Sequence, residues 1–397
     1  MGLSKRIQNL AESETLAMSQ RSAELKNAGI DVINLSVGEP DFFTPDHIKQ
    51  AANEAISNNF SFYTPVGGYL SLRKAICQKL KNWNSLNYSP EQIVCTNGAK
   101  QAICEVLMCL LNDGEEVIIP APYWVSYIEM VKIAGGQSVV IQADRENNFK
   151  ITAEQFRAAV TPKTKIFMLC SPSNPTGSIY SKEELREIAE VLKDYPEIFI
   201  ISDEIYEYIS YTGKVSSLAE LDFLKDRIVI INGVSKGYAM TGWRIGWLAA
   251  PLWLAKGVAK LQGQFTSAPS SIAQKAAEAA YLGGDACVEK MRSAFEKRRD
   301  LVLSLAKKIS GFDTAIPDGA FYIFPVCKSY FGKKTPEGKV ILNGSDLAMY
   351  LLDNAHVASV GGDAFGEKNC IRFSYATSEN LLIEAFERIE KALSILN

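Results

Sequence analysis

The sequence predicts an α/β fold with a mostly parallel central sheet flanked by helices, followed by a smaller α+β domain. Three observations indicate this. Short, continuous apolar runs recur along the first three quarters of the chain, amphipathic helical stretches separate them, and the pattern changes after about residue 285. Runs that are apolar on both faces are typical of parallel strands covered by helices on each side. Alternation of such strands with helices defines the α/β class.

Predicted elements of the first part follow one another as expected for that class. Apolar runs predict the strands, and capping signals or amphipathic periodicity predict the helices. In chain order these elements are a helix at Ser13–Ala28, a strand at Ile93–Thr96, a helix at Lys100–Leu111, strands at Val117–Ile119 and Ile166–Cys170, a helix at Ser181–Lys193, and strands at Ile198–Ile201 and Ile228–Ile231. Right-handed crossovers would join these strands into one sheet.

After residue 285 the helices lengthen and the strands become sparse. The predicted elements there are a long helix at Ala286–Ile309, a strand at Phe321–Phe324, a polar insertion at Ser329–Gly338, a helix near Asp346–Asn354, strands around Val357 and Ile371, and an amphipathic helix at Glu379–Ile395. We therefore expect a large domain at residues 46–284 and a small domain at residues 285–397. An N-terminal segment, residues 1–45, is expected to pack with the small domain.

Composition excludes several classes of protein. The chain has 397 residues, of which 47% are hydrophobic and 22% charged, as in folded globular domains. Its 42 basic and 45 acidic side chains leave a net charge of −3, so we expect no binding to nucleic acid or to anionic membranes. The run nearest to a membrane span, Ile245–Ala255, is short and interrupted by Gly246 and Pro251. Because no apolar segment follows the charged N-terminus, we expect a cytoplasmic protein.

Cysteine and histidine usage narrows the chemistry further. The 8 cysteines include no Cys-x-x-Cys pair, which argues against a zinc site or a disulfide framework. Only two histidines occur, His47 and His356, and both are interpreted as structural or surface residues. A histidine-based triad or metal centre is hard to build from them, so no metal is expected. Lys, Asp, Tyr and Arg side chains are left to carry the chemistry.

Polar motifs follow the predicted strands. Thr96–Lys100, Ser171–Gly177, Ser202–Tyr206 and Ser235–Lys236 come directly after apolar runs, and Met240–Gly246 lies just beyond the last of them. In open α/β sheets, residues past the carboxyl ends of parallel strands line the ligand cleft. Each fragment alone is an ordinary turn or cap. Their co-occurrence in this order indicates a single functional site.

This series of motifs resembles that of the class I aminotransferases of the aspartate aminotransferase fold, which use pyridoxal 5′-phosphate (PLP). The resemblance extends from Val37–Asp41 to Arg372–Tyr375, and Pro122–Trp124 with Asn97–Gln101 resembles their bacterial, aspartate-specific branch. It implies the PLP-dependent transferase fold, with residues 46–284 as the PLP-binding domain. It also implies ping-pong amino transfer between an L-amino acid, with L-aspartate as the best candidate, and 2-oxoglutarate.

The resemblance implies catalytic roles for three residues. Lys236 matches the lysine that holds the PLP aldehyde as a Schiff base and, once displaced, moves a proton on the substrate. Asp203 matches the carboxylate that keeps the ring nitrogen protonated, and such an ion pair at ~4 Å gains roughly 4 kcal/mol at an effective dielectric near 20. Tyr206, with Asn174, matches the donors to the phenolic oxygen of PLP.

Further residues match the family's cofactor contacts. Gly98 and Ala99 lie where a helix begins, so their N–H groups suit the phosphate. Ser235 offers a hydroxyl, Arg244 a two-pronged cation, and Trp124 an aromatic face for the ring, with a core tryptophan as the alternative. The expected cofactor-binding set is Tyr63, Gly98, Ala99, Lys100, Trp124, Asn174, Asp203, Tyr206, Ser235, Lys236 and Arg244.

Substrate recognition is expected to depend on two cations. Arg372 matches the arginine that binds the α-carboxylate two-on-two, with Gly38 beside it. A dicarboxylic substrate needs a second cation, for which Lys100 is the candidate, although a solvated lysine at a helix start is a competing interpretation. The expected substrate-binding set is Gly38, Lys100, Trp124, Asn174 and Arg372, with Ser13 and Thr15 as additional hydroxyls.

The resemblance further implies a homodimer with shared active sites. Tyr63, in the Gly-rich segment Phe62–Gly68, matches a tyrosine that reaches the PLP phosphate of the neighbouring subunit. The alternative is a tyrosine packed under its own loop.

Other functions remain open at this stage. The same scaffold serves aromatic, alanine, prephenate and C–S lyase activities, so fold alone does not fix the substrate. A PLP-binding regulatory module would need a helix-turn-helix segment, and residues 1–35 have room for one helix. A nicotinamide-linked dehydrogenase would need Gly-x-Gly-x-x-Gly after a first strand, and the sequence contains none there.

Overall fold

A computed structural model describes residues 2–397. Its α-helices are α1 (Lys5–Gln8), α2 (Glu14–Asn27), α3 (Asp46–Ser57), α4 (Leu70–Lys79), α5 (Ala99–Leu110), α6 (Ser126–Ile133), α7 (Ala153–Ala159), α8 (Lys182–Lys193), α9 (Leu252–Phe265), α10 (Ser271–Leu282), α11 (Ala286–Ala306), α12 (Gly344–Ala355) and α13 (Glu379–Ser394). Its strands are β1 (Ile33–Asn34), β2 (Ile93–Thr96), β3 (Glu116–Ala121), β4 (Gln137–Gln142), β5 (Thr164–Cys170), β6 (Phe199–Asp203), β7 (Ile228–Gly233), β8 (Gly246–Ala249), β9 (Tyr322–Ile323), β10 (Val357–Ala358), β11 (Val360–Gly361) and β12 (Ile371–Ser374). No helix in this part of the chain is long and apolar enough to cross a membrane.

Seven strands form the central sheet in the order β2-β8-β7-β6-β5-β3-β4. Strands β7, β6, β5, β3 and β4 pair in parallel, and β8 pairs antiparallel with both of its neighbours, β2 and β7. The sheet is therefore mostly parallel, as predicted. Because β5, β6 and β7 are parallel neighbours, the residues that follow them meet at one edge of the sheet.

Two strands of this sheet lie outside the predicted set. Strand β4 is at the sheet edge, and its mixed polar sequence is mostly accessible to solvent. Strand β8 lies inside the apolar run Ile245–Ala255, and Gly246 begins it. A Cβ on Gly246 would come within 2.2 Å of the Ala99 backbone nitrogen, so this glycine lets the start of α5 pack directly on β8.

Each predicted helix is present, with one difference in length, and further helices such as α9 and α10 lie outside the predicted set. Helix α8 begins at the predicted capping box, in which the Glu184 N–H donates to Ser181 Oγ and the Ser181 N–H donates to Glu184 Oε2. Helix α11, predicted to end at Ile309, ends at Ala306. Beyond that point the backbone bonds become i to i+3, as where the Ile309 N–H donates to the Ala306 carbonyl, which tightens the last turn.

A second core lies away from the central sheet. It packs α11, α12 and α13 against the small sheet of order β11-β12-β9. Strand β1 pairs in parallel with β10, which brings Ile33 and Leu35 into this core. The N-terminal strand thus lies among C-terminal elements, and Leu35 and Ser36 come close to β12.

A buried ion pair fixes the segment that follows β6. Lys79, at the end of α4, is paired with Glu207, and both side chains are almost completely buried. Asn84 Nδ2 donates to Glu207 Oε2 at 2.9 Å, and Asn232 Nδ2 donates to Glu207 Oε1 at 2.6 Å. A buried pair is stable only when its remaining donors and acceptors are satisfied, as here. The backbone between Asp203 and Glu207 is thereby tied to β7.

Candidate active site

A cavity of about 260 Å³ opens at the carboxyl ends of β5, β6 and β7, against the small sheet. It brings together most of the residues that the sequence singled out. These lining residues are Ser13, Thr15, Gly38, Ala99, Lys100, Trp124, Asn174, Asp203, Tyr206, Ser235, Lys236, Arg244 and Arg372.

Asp203 is the last residue of β6 and is buried at the floor of the cavity. Tyr127 Oη donates to its Oδ2 at 2.6 Å, and the Ile205 N–H donates to its Oδ1 at 3.2 Å. Burial raises the pKa of Asp203 to about 6, and these two donors limit the rise. The carboxylate is therefore oriented by two donors, and within residues 2–397 it forms no salt bridge.

Lys236 enters the cavity from the segment after β7. Its Nζ donates to the Gly38 carbonyl at 2.6 Å. Burial lowers the pKa of Lys236 to about 8, against the opposing effect of Glu39, and the neighbouring cations Arg244 and Arg372 lower it further. A substantial fraction of this amine is therefore neutral near physiological pH.

Arg372, on β12, is completely buried and lines the same cavity. Its Nη1 donates to Asn174 Oδ1 at 2.9 Å, its Nη2 donates to the Ser36 carbonyl, and its buried Nε has no partner in residues 2–397. Since Asn174 Oδ1 is used as an acceptor, its Nδ2 remains available as a donor to the cavity. Burial lowers the pKa of Arg372, yet an arginine stays charged.

The start of α5 forms an anion cradle with Arg244. Gly98 caps α5 with φ +86°, a conformation that favours glycine, and Ala99 follows as the first helical residue. A Cβ on Gly98 would come within 2.3 Å of Arg244 Nη2, so a larger residue would displace the guanidinium. Arg244 Nη1 donates to the Thr241 carbonyl at 2.9 Å, and Ser235 lines the same corner. N–H groups, a hydroxyl and a cation thus converge where a phosphate would bind.

Lys100 and Trp124 form the outer wall. Lys100 Nζ lies 4.9 Å from the centroid of the Trp124 ring, and burial followed by the Arg244 charge lowers the pKa of Lys100. The Trp124 ring meets that of Tyr127 edge to face at 5.4 Å. Ser13 and Thr15, at the start of α2, also line this cavity.

Two predicted site residues are not in the lining of this cavity, Gly98, which directly precedes the lining residue Ala99, and Tyr63. The side chain of Tyr63 is fully exposed, beside Phe62, which is 79% exposed. Its loop is nevertheless held in place, because Gln262 Nε2 donates to the Val66 carbonyl at 2.7 Å and Gln274 Nε2 donates to Thr64 Oγ1 at 3.1 Å. The alternative in which Tyr63 packs under its own loop is wrong.

Two tyrosines of the cavity were not found from the sequence. Tyr127 holds Asp203, and Tyr322, on β9, contacts Tyr206 with the two hydroxyl oxygens 2.8 Å apart. The available signal for Tyr127 was its spacing of three from Trp124, which places both on one side of the α6 start. Tyr322 belongs to the apolar run Phe321–Phe324, which reads as core.

The cavity fits PLP, as the residue types show. An amine suits its aldehyde, an oriented carboxylate suits its ring nitrogen, and the cradle at Gly98 suits its phosphate. The fold and this cavity define a PLP-dependent transferase of the aspartate aminotransferase type.

Comparison with known proteins gives the family. The family model described as "Aminotransferase class I and II" matches residues 30–389. A probable aspartate/prephenate aminotransferase of Rickettsia bellii is 48% identical over 396 residues, 99% of each chain. The crystal structure of the aspartate aminotransferase from Rhizobium meliloti superposes with a TM-score of 0.96 at 44% identity over 100% of both chains. The structure of the aspartate aminotransferase from Thermus thermophilus with maleate superposes with a TM-score of 0.93 at 37% identity, over 99% of this chain and 100% of that chain. The chain belongs to the class I and II aminotransferases, and its cofactor is PLP.

The low pKa of Lys236 gives a direct prediction. We expect the rate at which cofactor-free protein captures PLP, trapped by borohydride on Lys236, to rise with pH through a midpoint near 8. The reason is that only the neutral amine attacks an aldehyde, whereas an ordinary lysine would titrate near 10.4. Mass spectrometry of the labelled peptides measures the rate, with labelling of surface Lys260 as the internal control. A Lys236 midpoint equal to that of Lys260 would contradict the assignment of a low pKa.

Proposed function

We propose that this aminotransferase moves the amino group of L-aspartate to 2-oxoglutarate in a ping-pong cycle. The observation that carries the proposal is the buried Arg372, which forms no salt bridge within residues 2–397 and lines the same cavity as Lys100. Two cations at one cavity suit a dicarboxylic substrate, because an unpaired buried carboxylate is costly. L-Aspartate, L-glutamate and their oxo acids satisfy this requirement.

A second candidate acceptor is prephenate. Prephenate is also a 2-oxo acid with a further carboxylate, so the same pair of cations would serve it. The Rickettsia bellii relative at 48% identity carries prephenate in its name. We therefore include prephenate beside 2-oxoglutarate among the acceptors to be tested.

Bound PLP supplies an aldehyde that condenses with amines and a ring that accepts electron density from the substrate Cα. In our proposal, Asp203 hydrogen-bonds the ring nitrogen and keeps it protonated, and Tyr127 keeps that carboxylate oriented. Tyr206 and Asn174 Nδ2 donate to the phenolic oxygen, and Trp124 covers one face of the ring. The phosphate is held by the cradle of Gly98, Ala99, Ser235 and Arg244, at whose edge Lys100 stands.

Lys236 is the proposed nucleophile and proton carrier. With PLP bound, the neutral amine of Lys236 would hold the cofactor through its aldehyde, and in its free form it would carry the Cα proton of the substrate. The Gly38 carbonyl accepts a hydrogen bond from Nζ at 2.6 Å and keeps the amine at the cavity. Arg372 binds the α-carboxylate, and Lys100, with Ser13 and Thr15, binds the second one.

Amino transfer by the PLP-bound protein tests the proposal. With L-aspartate and 2-oxoglutarate we expect oxaloacetate and glutamate in equal amounts, and L-aspartate alone should change the absorption of the bound cofactor once per site. Lys236→Ala should bind PLP but form neither oxaloacetate nor glutamate, since both the nucleophile and the proton carrier are removed. Parallel assays with alanine, phenylalanine and prephenate rank the substrates. Turnover of alanine or phenylalanine well above that of aspartate would refute the proposed specificity, and wild-type rates in Lys236→Ala would refute the role of the lysine.

Two substitutions separate the two carboxylate sites. Arg372→Ala should lower kcat/KM for every amino acid by at least roughly 30-fold, because removing one member of a buried charge pair costs about 2–5 kcal/mol. Lys100→Ala should lower kcat/KM for aspartate by about tenfold and leave that for alanine within about twofold, since alanine has no second carboxylate. Equal losses for aspartate and alanine in Lys100→Ala would remove this residue from the specificity site.

We also propose a homodimer in which each Tyr63 completes the neighbouring site. The support is the fixed loop that presents a fully exposed tyrosine beside exposed Phe62.

Our proposed division of each chain, at about residues 46 and 285, leaves β1 packed with the small domain. A cytoplasmic location is likewise proposed, supported by the eight free cysteines.

Mixed dimers test the shared site. Tyr63→Phe protein has intact Lys236 but donates no hydroxyl, and Lys236→Ala protein is inactive but donates Tyr63. In an equimolar mixture about half of the dimers are hybrids with one complete site, so about a quarter of sites should recover wild-type PLP affinity. Replacing the second partner by a Tyr63→Phe, Lys236→Ala double variant is the control and should restore nothing. Identical PLP affinity in both mixtures, or an active monomer by sedimentation, would exclude a shared site.

A further inference from the structure

Tyr322 lines the cavity and lies close to three other site residues, Tyr206, Arg372 and Gly38. It begins β9, and its side chain is completely buried. Its hydroxyl oxygen lies 2.8 Å from that of Tyr206, and either group can donate to the other. Burial raises the pKa of both tyrosines, so both hydroxyls stay protonated and able to donate.

The ring of Tyr322 is in contact with the carboxylate site. The Arg372 guanidinium carbon lies 4.6 Å from the Tyr322 ring centroid and 4.8 Å from that of Phe365. These rings and the acceptors Asn174 and Ser36 define the orientation of the guanidinium. One side chain therefore touches both Arg372 and Tyr206.

Gly38 provides the space for this arrangement. A Cβ at Gly38 would lie 2.5 Å from the Tyr322 hydroxyl oxygen, so any larger residue would displace the hydroxyl. The carbonyl of the same residue accepts the hydrogen bond from Lys236 Nζ. The hydroxyl of Tyr322 is thus confined between the Gly38 backbone and Tyr206.

We propose that Tyr322 is a positioning residue that acts through Tyr206 and sets how strongly Tyr206 donates to the phenolic oxygen of PLP. This inference rests on the proposed role of Tyr206. When the Tyr206 hydroxyl donates a hydrogen bond to the ring oxygen, its own oxygen can accept one. The Tyr322 hydroxyl, 2.8 Å away, is placed to donate it. Hydrogen bonds in such a chain strengthen one another. The ring of Tyr322 meanwhile steadies Arg372, so one residue serves cofactor and substrate.

Tyr322→Phe tests this, because it removes the hydroxyl and keeps the ring against Arg372. The readout is the pH midpoint of the absorption change of bound PLP. A weaker donor to the ring oxygen should raise that midpoint by roughly 0.4–1 unit, which is what one neutral hydrogen bond is worth. KM for aspartate should stay within about twofold, since the aromatic face remains.

Two further variants exclude a merely structural effect. Tyr375→Phe is the matched control, because this buried tyrosine contacts the Tyr211 hydroxyl at 3.1 Å and the Ala320 carbonyl at 3.2 Å without lining the cavity, and we expect no shift of the midpoint. In a Tyr206→Phe background, adding Tyr322→Phe should shift the midpoint no further, because the route through Tyr206 is gone.

An unchanged midpoint in Tyr322→Phe, an equal shift in Tyr375→Phe, or a shift that persists without the Tyr206 hydroxyl would overturn the proposal. Failure of the proposed function is distinguishable from these results. Wild-type protein that binds PLP but transfers no amino group from aspartate would refute the aspartate proposal, and the titration would still decide the role of Tyr322.

Discussion

The active site is organised around charges that are buried without a counter-charge from the chain itself. Asp203 and Arg372 are almost completely buried, Lys236 is largely so, and in residues 2–397 none of the three has an oppositely charged side chain within 4 Å. Burying an unpaired charge destabilises a folded protein. This cost of burial shifts the pKa values of two of these groups. Burial raises the pKa of Asp203 to about 6 and lowers the pKa of Lys236 to about 8. In our account the cofactor and the substrate supply the missing partners.

The rest of the architecture supports these groups. Parallel pairing of β5, β6 and β7 brings Asn174, Asp203 and Lys236 to one edge of the sheet, and the small sheet brings Arg372 to face them. Neutral donors and acceptors then orient each charge without cancelling it, as Tyr127 does for Asp203 and the Gly38 carbonyl for Lys236. The Lys79–Glu207 pair is the contrast, because its charges are buried together and need no ligand. Preorganised dipoles around uncancelled charge are the usual basis of enzymatic electrostatics.

Much of this could be predicted from the sequence, for physical reasons. The strands at Ile166–Cys170 and Ile228–Ile231 are buried on both faces and therefore read as apolar runs, and the family motifs follow their ends. The edge strand β4 lacks that pattern, and the buried strand β8 lies in an apolar run that Gly246 and Pro251 interrupt, so neither strand is in the predicted set. Tyr127 and Tyr322 were missed because their partners, Asp203 and Tyr206, are 76 and 116 residues away in the chain. No local pattern distinguishes a tyrosine that orients a site residue from one that only fills the core.

The unfolding temperature of Asp203→Asn, measured with and without PLP at pH 8, tests the claim of uncompensated charge most directly. Asparagine keeps the shape and both neighbours of the side chain but carries no charge. A pKa raised from 3.8 to about 6 means that the ionised carboxylate costs the cofactor-free protein roughly 3 kcal/mol at any pH above both values, and that this cost disappears below about pH 4. The account predicts that the variant unfolds a few degrees above wild type without PLP and gains less than wild type when PLP is added. A cofactor-free variant that unfolds at or below the wild-type temperature would contradict it.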